Sequence, residues 1–515
     1  MSDAAQGFPA LDRIEEEWLD PALIETVPVD WVRRNVLVPF RWNGQVAIAG
    51  AESAALQAYE DLALLLGVEA VWVVAPAAEI QRAIDRCYFR RAGQAGEAAA
   101  QAGEAATDDG AVVPARREAD DLLAGSADAP VAHYVNLILL EAVKRGASDI
   151  HIEPYANALA VRYRIDGLLY EQPSPPRHLE NALTARLKVM AKLDLAEKRL
   201  PQDGVARVRV GAREIDVRVS SVPVAEGERI VLRLLHREST RYTLNELGMS
   251  PERLGQFRGI LREPHGIVLV TGPTGSGKTT TLYAALRELD TAHLNVLTIE
   301  DPIEYQLPNI GQMQVHPKIG LTFARGLRHV LRQDPDVVLV GETRDLETAE
   351  IVVRASLTGH LVFTTLHTND AVGAVTRMVD MGIPPYLLAS ATRAVLAQRL
   401  VRRLCPHCRR EIALAAADAG LLGQPKLAGT PVWEASPSGC GECLGGYKGR
   451  TGIHELLAVS SSISEAIRTA VPPAELRRMA VAAGFRDMLD DGVDKIRAGV
   501  TSVAEVLRAA GARRE

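Results

Sequence analysis

Gly272-Pro273-Thr274-Gly275-Ser276-Gly277-Lys278-Thr279 matches the G-x-x-x-x-G-K-[ST] pattern of a phosphate-binding loop. Glycines let main-chain N–H groups approach phosphate oxygens, and a helix opening there adds positive potential. Lys278 is placed to reach the β- and γ-phosphates and the Thr279 hydroxyl to ligate Mg2+, with Thr280 next in the helix. An apolar run, Ile267-Val-Leu-Val, precedes the loop, and a helical pattern, Thr280 to Leu289, follows it. That context predicts nucleotide binding.

Acids and histidines gather downstream. Asp334-Pro-Asp-Val-Val-Leu-Val-Gly-Glu342 is a buried strand ending in a carboxylate that can hold the magnesium shell of a nucleotide through water. Thr298-Ile-Glu300-Asp301-Pro-Ile-Glu304 sets three acids at another strand end, either a solvated loop or acids that act on a ligand. His360 and His367 lie on a strand expected to end at the same crevice, which makes His367 a candidate phosphate sensor. Cys405-Pro-His-Cys408 and Cys440-Gly-Glu-Cys443, separated by 31 residues, offer four thiolates for tetrahedral Zn2+. Closed coordination makes such a site structural, and zinc removal is expected to unfold only about residues 405–443. His407 reads as a spectator and Cys87 as a small core residue. Arg399, Arg402, Arg403, Arg409 and Arg410 form a basic cluster, either a solvated face or a contact for anionic phospholipid head groups.

These groups need a frame that delivers them to one place. Ile267-Val-Leu-Val, Val296-Leu-Thr-Ile, Val337-Val-Leu-Val and Leu361-Val-Phe-Thr are short continuous apolar runs, each followed by a polar motif and a helical pattern. That alternation predicts a parallel sheet with helices on both faces, whose strand C-terminal ends form the ligand crevice. Upstream, Leu159-Ala-Val-Arg-Tyr-Arg-Ile and Arg213-Glu-Ile-Asp-Val-Arg-Val alternate as half-buried strands. Asp216 and Arg218 share one strand face, as do Arg229, Val231 and Arg233. The chain is read as an N-terminal docking domain (1–90), an Ala/Gly/acidic flexible linker (91–130) and a second α+β domain (131–240). An α/β nucleotide-binding domain (241–403), a zinc-binding four-cysteine subdomain (404–447) and C-terminal helices (448–515) follow.

The 515 residues, 47% hydrophobic and 24% charged, allow several cores and exclude a disordered chain or a disulfide-stapled miniprotein. A net charge of -7 argues against a nucleic-acid partner, whose binding rests on phosphate neutralisation. No run reaches the ~18 apolar residues of a membrane span. The N-terminus lacks the pattern of a signal peptide, so a cytoplasmic location is expected.

The four nucleotide-site motifs, in this order, resemble those of the secretion ATPase superfamily: type II secretion ATPases, type IV pilus extension and retraction motors, and their relatives. The resemblance covers about residues 131–510 and is nearly continuous from Gly266 to Cys405. It names the segments as Walker A motif, Asp box, Walker B motif and His box, and implies a RecA-like P-loop motor. Glu304 then matches the catalytic glutamate that polarises the attacking water, Glu342 the Walker B glutamate, and His367 the His-box residue near the γ-phosphate. Arg218 and Arg233, with Arg229 third, match arginines that meet nucleotide in these motors, whereas Asp149 and His151 read as structural. Thr343 stands where the family usually has an aliphatic residue, with a small local effect expected.

Within the superfamily, Val395 to Cys405 and the single small N-terminal domain look closest to the type II secretion ATPases. The cysteine pairs speak against the retraction motor. The resemblance implies a homo-hexamer that hydrolyses Mg-ATP to drive pseudopilus assembly. It implies docking through the N-terminal domain on the cytoplasmic part of an inner-membrane platform protein, and so a peripheral place at the inner membrane. A pilus-extension ATPase is the near alternative and a P-loop DNA translocase the alternative from another class. A non-catalytic scaffold is disfavoured because every catalytic acid is present.

Overall fold

Short runs of branched residues set the first strands. In the computed structural model, β1 (Leu37–Trp42) and β2 (Gln45–Gly50) form a hairpin through Asn43 and Gly44, both at positive φ as a two-residue turn requires. Helix α1 (Leu56–Leu66) leads to β3 (Val71–Val74), parallel to β2, and α2 (Ala77–Arg91) follows. The structure describes residues 9–20, 23, 32, 35–51, 56–66, 68, 70–91, 120–121, 130–210, 213–236 and 242–512. The expected linker, 91–130, falls almost wholly outside them, as does the Cys87 side chain. Two units divide the chain, residues 1–238 and 239–515.

In the first unit, β4 (Asp120–Asp121) and α3 (Pro130–Lys144) precede β5 (Ala147–Tyr155), β6 (Ala158–Ile165) and β7 (Leu168–Gln172). Then come α4 (Glu180–Met190), β8 (Gln202–Val210), β9 (Arg213–Val224) and β10 (Gly227–His236). The strands make one sheet in the order β4-β8-β9-β10-β5-β6-β7, antiparallel except at β4. Period-two alternation buries Ile150, Ile152, Val161, Tyr163, Val217, Val219, Ile230 and Leu232. Their face packs against α3 and α4, where the Tyr163 hydroxyl donates to the Ile138 carbonyl at 2.8 Å. Arginines alternate onto the opposite face.

The second unit begins with α5 (Pro251–Ile260), β11 (Gly266–Thr271) and α6 (Lys278–Glu288). It continues through β12 (Val296–Glu300), β13 (Gly311–Gln314), α7 (Phe323–Val330), β14 (Val337–Val340) and α8 (Leu346–Leu357). Next are β15 (Leu361–Leu366), α9 (Ala371–Asp380), α10 (Pro385–Ala391) and the long β16 (Thr392–Leu404). The sheet runs β13-β12-β14-β15-β11-β16-β19, parallel throughout except at β19. Alternate residues of each strand feed two cores. Val268, Val270 and Phe363 pack with α5 and α6, while Ile267, Leu269, Val338, Val340 and Val362 pack with α7 to α10. Both faces are covered, as continuous apolar runs require.

After β16 the chain leaves the sheet for a small excursion of β17 (Arg410–Ala413), α11 (Ala416–Leu421) and β18 (Pro431–Glu434). It returns as β19 (Tyr447–Ala458), antiparallel to β16, before α12 (Ser461–Arg468), α13 (Pro473–Ala482), α14 (Met488–Arg497) and α15 (Val503–Ala510). The sequence reading has only helices after residue 447. Gly449 and Gly452 interrupt its strand pattern, but pairing along β16 holds the segment extended.

Candidate functional site

Strand β11 ends at Thr271, and the chain turns through Gly272 to Gly277 into the first turn of α6. A Cβ on Gly272 would lie 2.4 Å from the Gln398 carbonyl oxygen, so only glycine passes there. Pro273, Thr274, Gly275 and Thr279 are exposed, Thr280 is half-buried and Ser276 is buried. The Ser276 Oγ has no hydrogen-bond partner among the described residues. Lys278 folds back on the loop, its Nζ donating to the Gly272 and Pro273 carbonyls at 2.8 and 3.1 Å. Burial holds its pKa below the usual lysine range, and nearby Glu342 opposes that shift. An orphaned hydroxyl, a cradle of glycines and a poorly solvated ammonium fit a phosphate group.

Parallel pairing carries the other motifs to the same edge of the sheet. Glu342 follows β14 and His367 follows β15, with Nε2 of His367 3.5 Å from Oε2 of Glu342. Arg344 reaches the other Glu342 oxygen at 2.7 Å. Thr271 Oγ1 and Thr368 Oγ1 lie 2.8 Å apart, tying the phosphate-loop strand to the His367 loop. Thr343 is buried, and its hydroxyl meets that of Thr364 at 2.8 Å. A polar side chain in an apolar setting is thereby satisfied. His360 stands at the start of β15, away from the crevice, with Nδ1 2.8 Å from the Ala355 carbonyl. His367, the candidate read from the sequence, stands at the other end, because a strand of six residues separates its ends by about 20 Å.

The three acids after β12 part company. Glu300 is buried and engaged by the hydroxyls of Tyr283 and Thr298 and by Gln312 Nε2. It braces α6 and β13 from below. Asp301 is exposed, and Glu304 is half-buried. The Glu304 main-chain N–H is hydrogen-bonded to the Tyr283 phenol, on the same helix that Lys278 opens.

Cys405, Cys408, Cys440 and Cys443 converge, all four sulfurs lying within 4.8 Å of one another. Adjacent separations are 3.5, 3.6 and 3.7 Å. Four thiolates at ~2.3 Å from one tetrahedral Zn2+ stand about 3.8 Å apart, so the set fits zinc. His407 is outside it and exposed. Leu414, Ala419, Leu422 and Val432 of this excursion share a core with Leu489, Val493, Ile496 and Val506 of α14 and α15. Its apolar side is thus continuous with the C-terminal helices.

Residues 125–508 match the family described as Type II/IV secretion system protein. The chain belongs to that family. Residues 8–94 match a second family, the MshEN domain. The Type II secretion system ATPase E of Vibrio cholerae is 52% identical over 390 residues, 76% of this chain and 77% of that one. The Type II secretion system protein E of Klebsiella pneumoniae is 54% identical over 393 residues, 76% and 78% of the two chains. Among solved structures, the pilus retraction motor PilT with bound ADP is 27% identical with a TM-score of 0.50, over 72% of this chain and 95% of that one. The ATPase DotB of Legionella pneumophila shares the fold at 22% identity, with a TM-score of 0.54 over 74% and 96%. Like these relatives, the chain is an ATP-hydrolysing enzyme. Among the described residues no helix is long and apolar enough to cross a membrane.

Arg218, Arg229 and Arg233 lie on the face of the first unit's sheet opposite its apolar core. Arg233 stands opposite Arg218 on β9 and opposite Asp149 on β5, and Asp149 stands opposite Arg164 on β6. Arg233 Nε lies 3.0 Å from Asp149 Oδ1, and Arg164 Nε 3.7 Å from Oδ2. Two pleat repeats away, Arg229 and Arg162 flank buried Glu153 at 2.6 and 2.5 Å. His151 lies between the two acids, and burial followed by the nearby Arg164 charge lowers its pKa. Asp149, read as structural from the sequence, is thus the group that fixes the direction of Arg233.

Other residues went unread. Arg344 lies two positions beyond Glu342 in an extended segment, which the period of two could have flagged. Glu455 on β19 had no motif. Its two oxygens accept the first N–H of α9, from Ala371 at 2.6 Å, and of α14, from Met488 at 3.0 Å. The arginine cluster is mostly structural. Arg399 contacts Asn369 and the Ala509 carbonyl, Arg402 pairs with Glu505 and lies over the Tyr447 ring, and Arg409 lies over Trp433. Arg403 and Arg410 are exposed.

Proposed function

We propose that the chain hydrolyses Mg-ATP to energise a type II secretion system, working as a homo-hexameric ring at the cytoplasmic face of the inner membrane. The observation that supports this most directly is the convergence of Lys278, Glu342 and His367 at the ends of adjacent parallel strands. In this reading the N–H groups of Gly272 to Thr280 and the Lys278 ammonium bind the phosphates. The Thr279 hydroxyl and the Glu342 carboxylate would hold Mg2+, which when bound neutralises charge developing between the β- and γ-phosphates. Glu304 orients the attacking water, and His367 faces the γ-phosphate. Arg218 and Arg233 supply positive charge to a nucleotide in the assembled ring, where loss of the γ-phosphoryl group spreads charge over its oxygens. Cys405, Cys408, Cys440 and Cys443 hold a structural Zn2+. The N-terminal domain, residues 1–90, docks on the cytoplasmic part of an inner-membrane platform protein, and exposed Arg403 and Arg410 are the basic groups left for anionic lipid.

The test is replacement of the native copy by Glu304→Gln in its own host. Secreted proteins should accumulate inside the envelope while pilus-dependent movement is unchanged. Loss of pili with normal secretion would overturn the assignment in favour of a pilus-extension motor.

A further inference from the structure

Gln398 lies on β16 one residue past Ala397, the register partner of Thr271, and so directly beside the start of the phosphate loop. It is 2% exposed. Its side chain makes two contacts. Nε2 donates to the Ser276 carbonyl at 2.8 Å, and Oε1 accepts from the Thr281 hydroxyl at 2.8 Å. The orientation of this amide follows from chemistry. The Ser276 carbonyl can only accept, so the nitrogen must face it, and the Thr281 hydroxyl supplies the hydrogen for the oxygen. Gln398 thereby bridges the loop to the first turn of α6.

The Ser276 carbonyl shares a planar trans peptide with the Gly277 N–H, and the two bonds point in opposite directions. Pulling the carbonyl toward β16 therefore turns the Gly277 N–H away from the sheet, into the concavity of the loop. This peptide would otherwise be easy to flip. Gly277 is at φ +88°, and glycine adopts either sign of φ with little cost. The neighbouring Ser276 Oγ, buried and without a partner among the described residues, makes no bond that would hold it.

We propose that Gln398 is a positioning residue of the phosphate loop, holding the Ser276 carbonyl so that the Gly277 N–H is fixed in the direction a phosphate oxygen requires. The proposal rests on the reading of residues 272–280 as the phosphate site. Gln398 acts on ATP through this peptide, and its loss weakens binding of ground state and transition state alike. KM then rises while kcat changes little.

The experiment is calorimetric titration of the full chain with magnesium and a slowly hydrolysed ATP analogue, beside steady-state ATPase kinetics. Gln398→Met should weaken the analogue roughly tenfold, the scale of one lost neutral hydrogen bond, and raise KM similarly with kcat within about twofold. Thr281→Val removes the other contact and keeps the Ser276 bond, so its Kd should shift by less than about threefold at a comparable loss of Tm. An unchanged Kd in a folded Gln398→Met chain overturns the proposal, as does an equal loss in Thr281→Val. If the methionine chain does not fold, Gln398→Glu is measured, because it keeps an acceptor for Thr281 and turns an oxygen on the Ser276 carbonyl. A Kd within about twofold of the parent then overturns the proposal, and a tenfold loss supports it. Lys278→Ala is measured alongside. Full analogue binding by that variant would remove the phosphate-site reading itself, a failure separate from that of Gln398.

Discussion

The protein holds two seven-stranded sheets that place charge by opposite means. In the second unit all but one strand are parallel, both faces are buried, and chemistry gathers at one edge where successive strands end. In the first unit the sheet is antiparallel except at one short strand. One face is a core, and arginines, Arg162, Arg164, Arg207, Arg218, Arg229 and Arg233 among them, are spread across the other with acids that include Asp149, Glu153 and Asp216. An edge concentrates main-chain N–H groups, helix ends and a few acids at one point. A face sets long side chains in rows with a spacing fixed by the pleat. The first geometry suits a bound phosphate, and the second suits contacts made over a surface.

If the arginine face serves the same reaction as the edge, its removal should have the largest effect. Arg218→Ala with Arg233→Ala should lower kcat by about 10³ or more, the range for arginines acting on phosphoryl transfer, with little change in Tm. Mixing that chain with Glu304→Gln should restore activity if the arginines act between subunits. No recovery in rings shown to contain both chains would mean that they act within one chain or not at all. At the edge itself, Glu304→Gln should slow turnover by about 10²-fold or more while ATP affinity stays within threefold. Glu300→Gln should instead lower stability, since Glu300 is bonded to Tyr283, Thr298 and Gln312. A reversal of those two outcomes would move the catalytic acid.

Zinc asks whether the parallel sheet depends on what hangs from its border. Roughly one zinc per chain is expected by atomic absorption. Cys440→Ser with Cys443→Ser should lose it, and hydrogen exchange should quicken in residues 405–446 and also in α14 and α15, which share the excursion's core. Full metal content in that variant would end the zinc assignment. A smaller effect is expected on the arginine side. Asp149→Asn keeps the shape of the acid but weakens its hold on Arg233, and kcat should fall by about tenfold at unchanged KM. If Arg233 needs no such guide, the variant will match the parent.

The smallest effect separates the sheets by pH. Burial pushes Glu455, at the border of the parallel sheet, up to about 7 from an ordinary 4.5. The folded chain then holds a proton that the unfolded chain releases, so stability rises as pH falls from 8 through 7. His454 beside it is pushed down to about 3 from 6.5 by burial, and its neutral form loses stability only below pH 6.5. Tm should therefore climb by about 3 °C between pH 8 and 6.5, and Glu455→Gln should flatten the climb. An equal climb in both chains would assign it to other groups.

The two sheets also differed in how far they could be read beforehand. Ile267-Val-Leu-Val and its three counterparts are continuous apolar runs, each followed by a motif, so the parallel order and the crevice were legible from residues alone. Gln202 to Val210 was not. Its apolar alternation begins only at Ala206, and the strand is held by its pairing with β9 rather than by its own pattern. The site residues that escaped notice have a common cause. Gln398 and Glu455 act through partners 122 and 84 residues away, and no local period carries such a relation. Glu300 and Glu304 lie in one motif, yet only the fold distinguishes the buried brace from the half-buried candidate.

The return of the chain to the sheet as β19 has a consequence for how the molecule assembles. Leu404 pairs with Tyr447, so the hairpin of β16 and β19 must close over the whole excursion before its ladder can grow. Closing about forty residues rather than about five costs roughly 2 kcal/mol of extra chain entropy. A zinc ion shared by the four thiolates at the base of the excursion would meet that cost before the strands pair. The metal would then set the order of folding, with β19 joining the sheet last in a chain refolded under chelation and much earlier in one refolded with zinc.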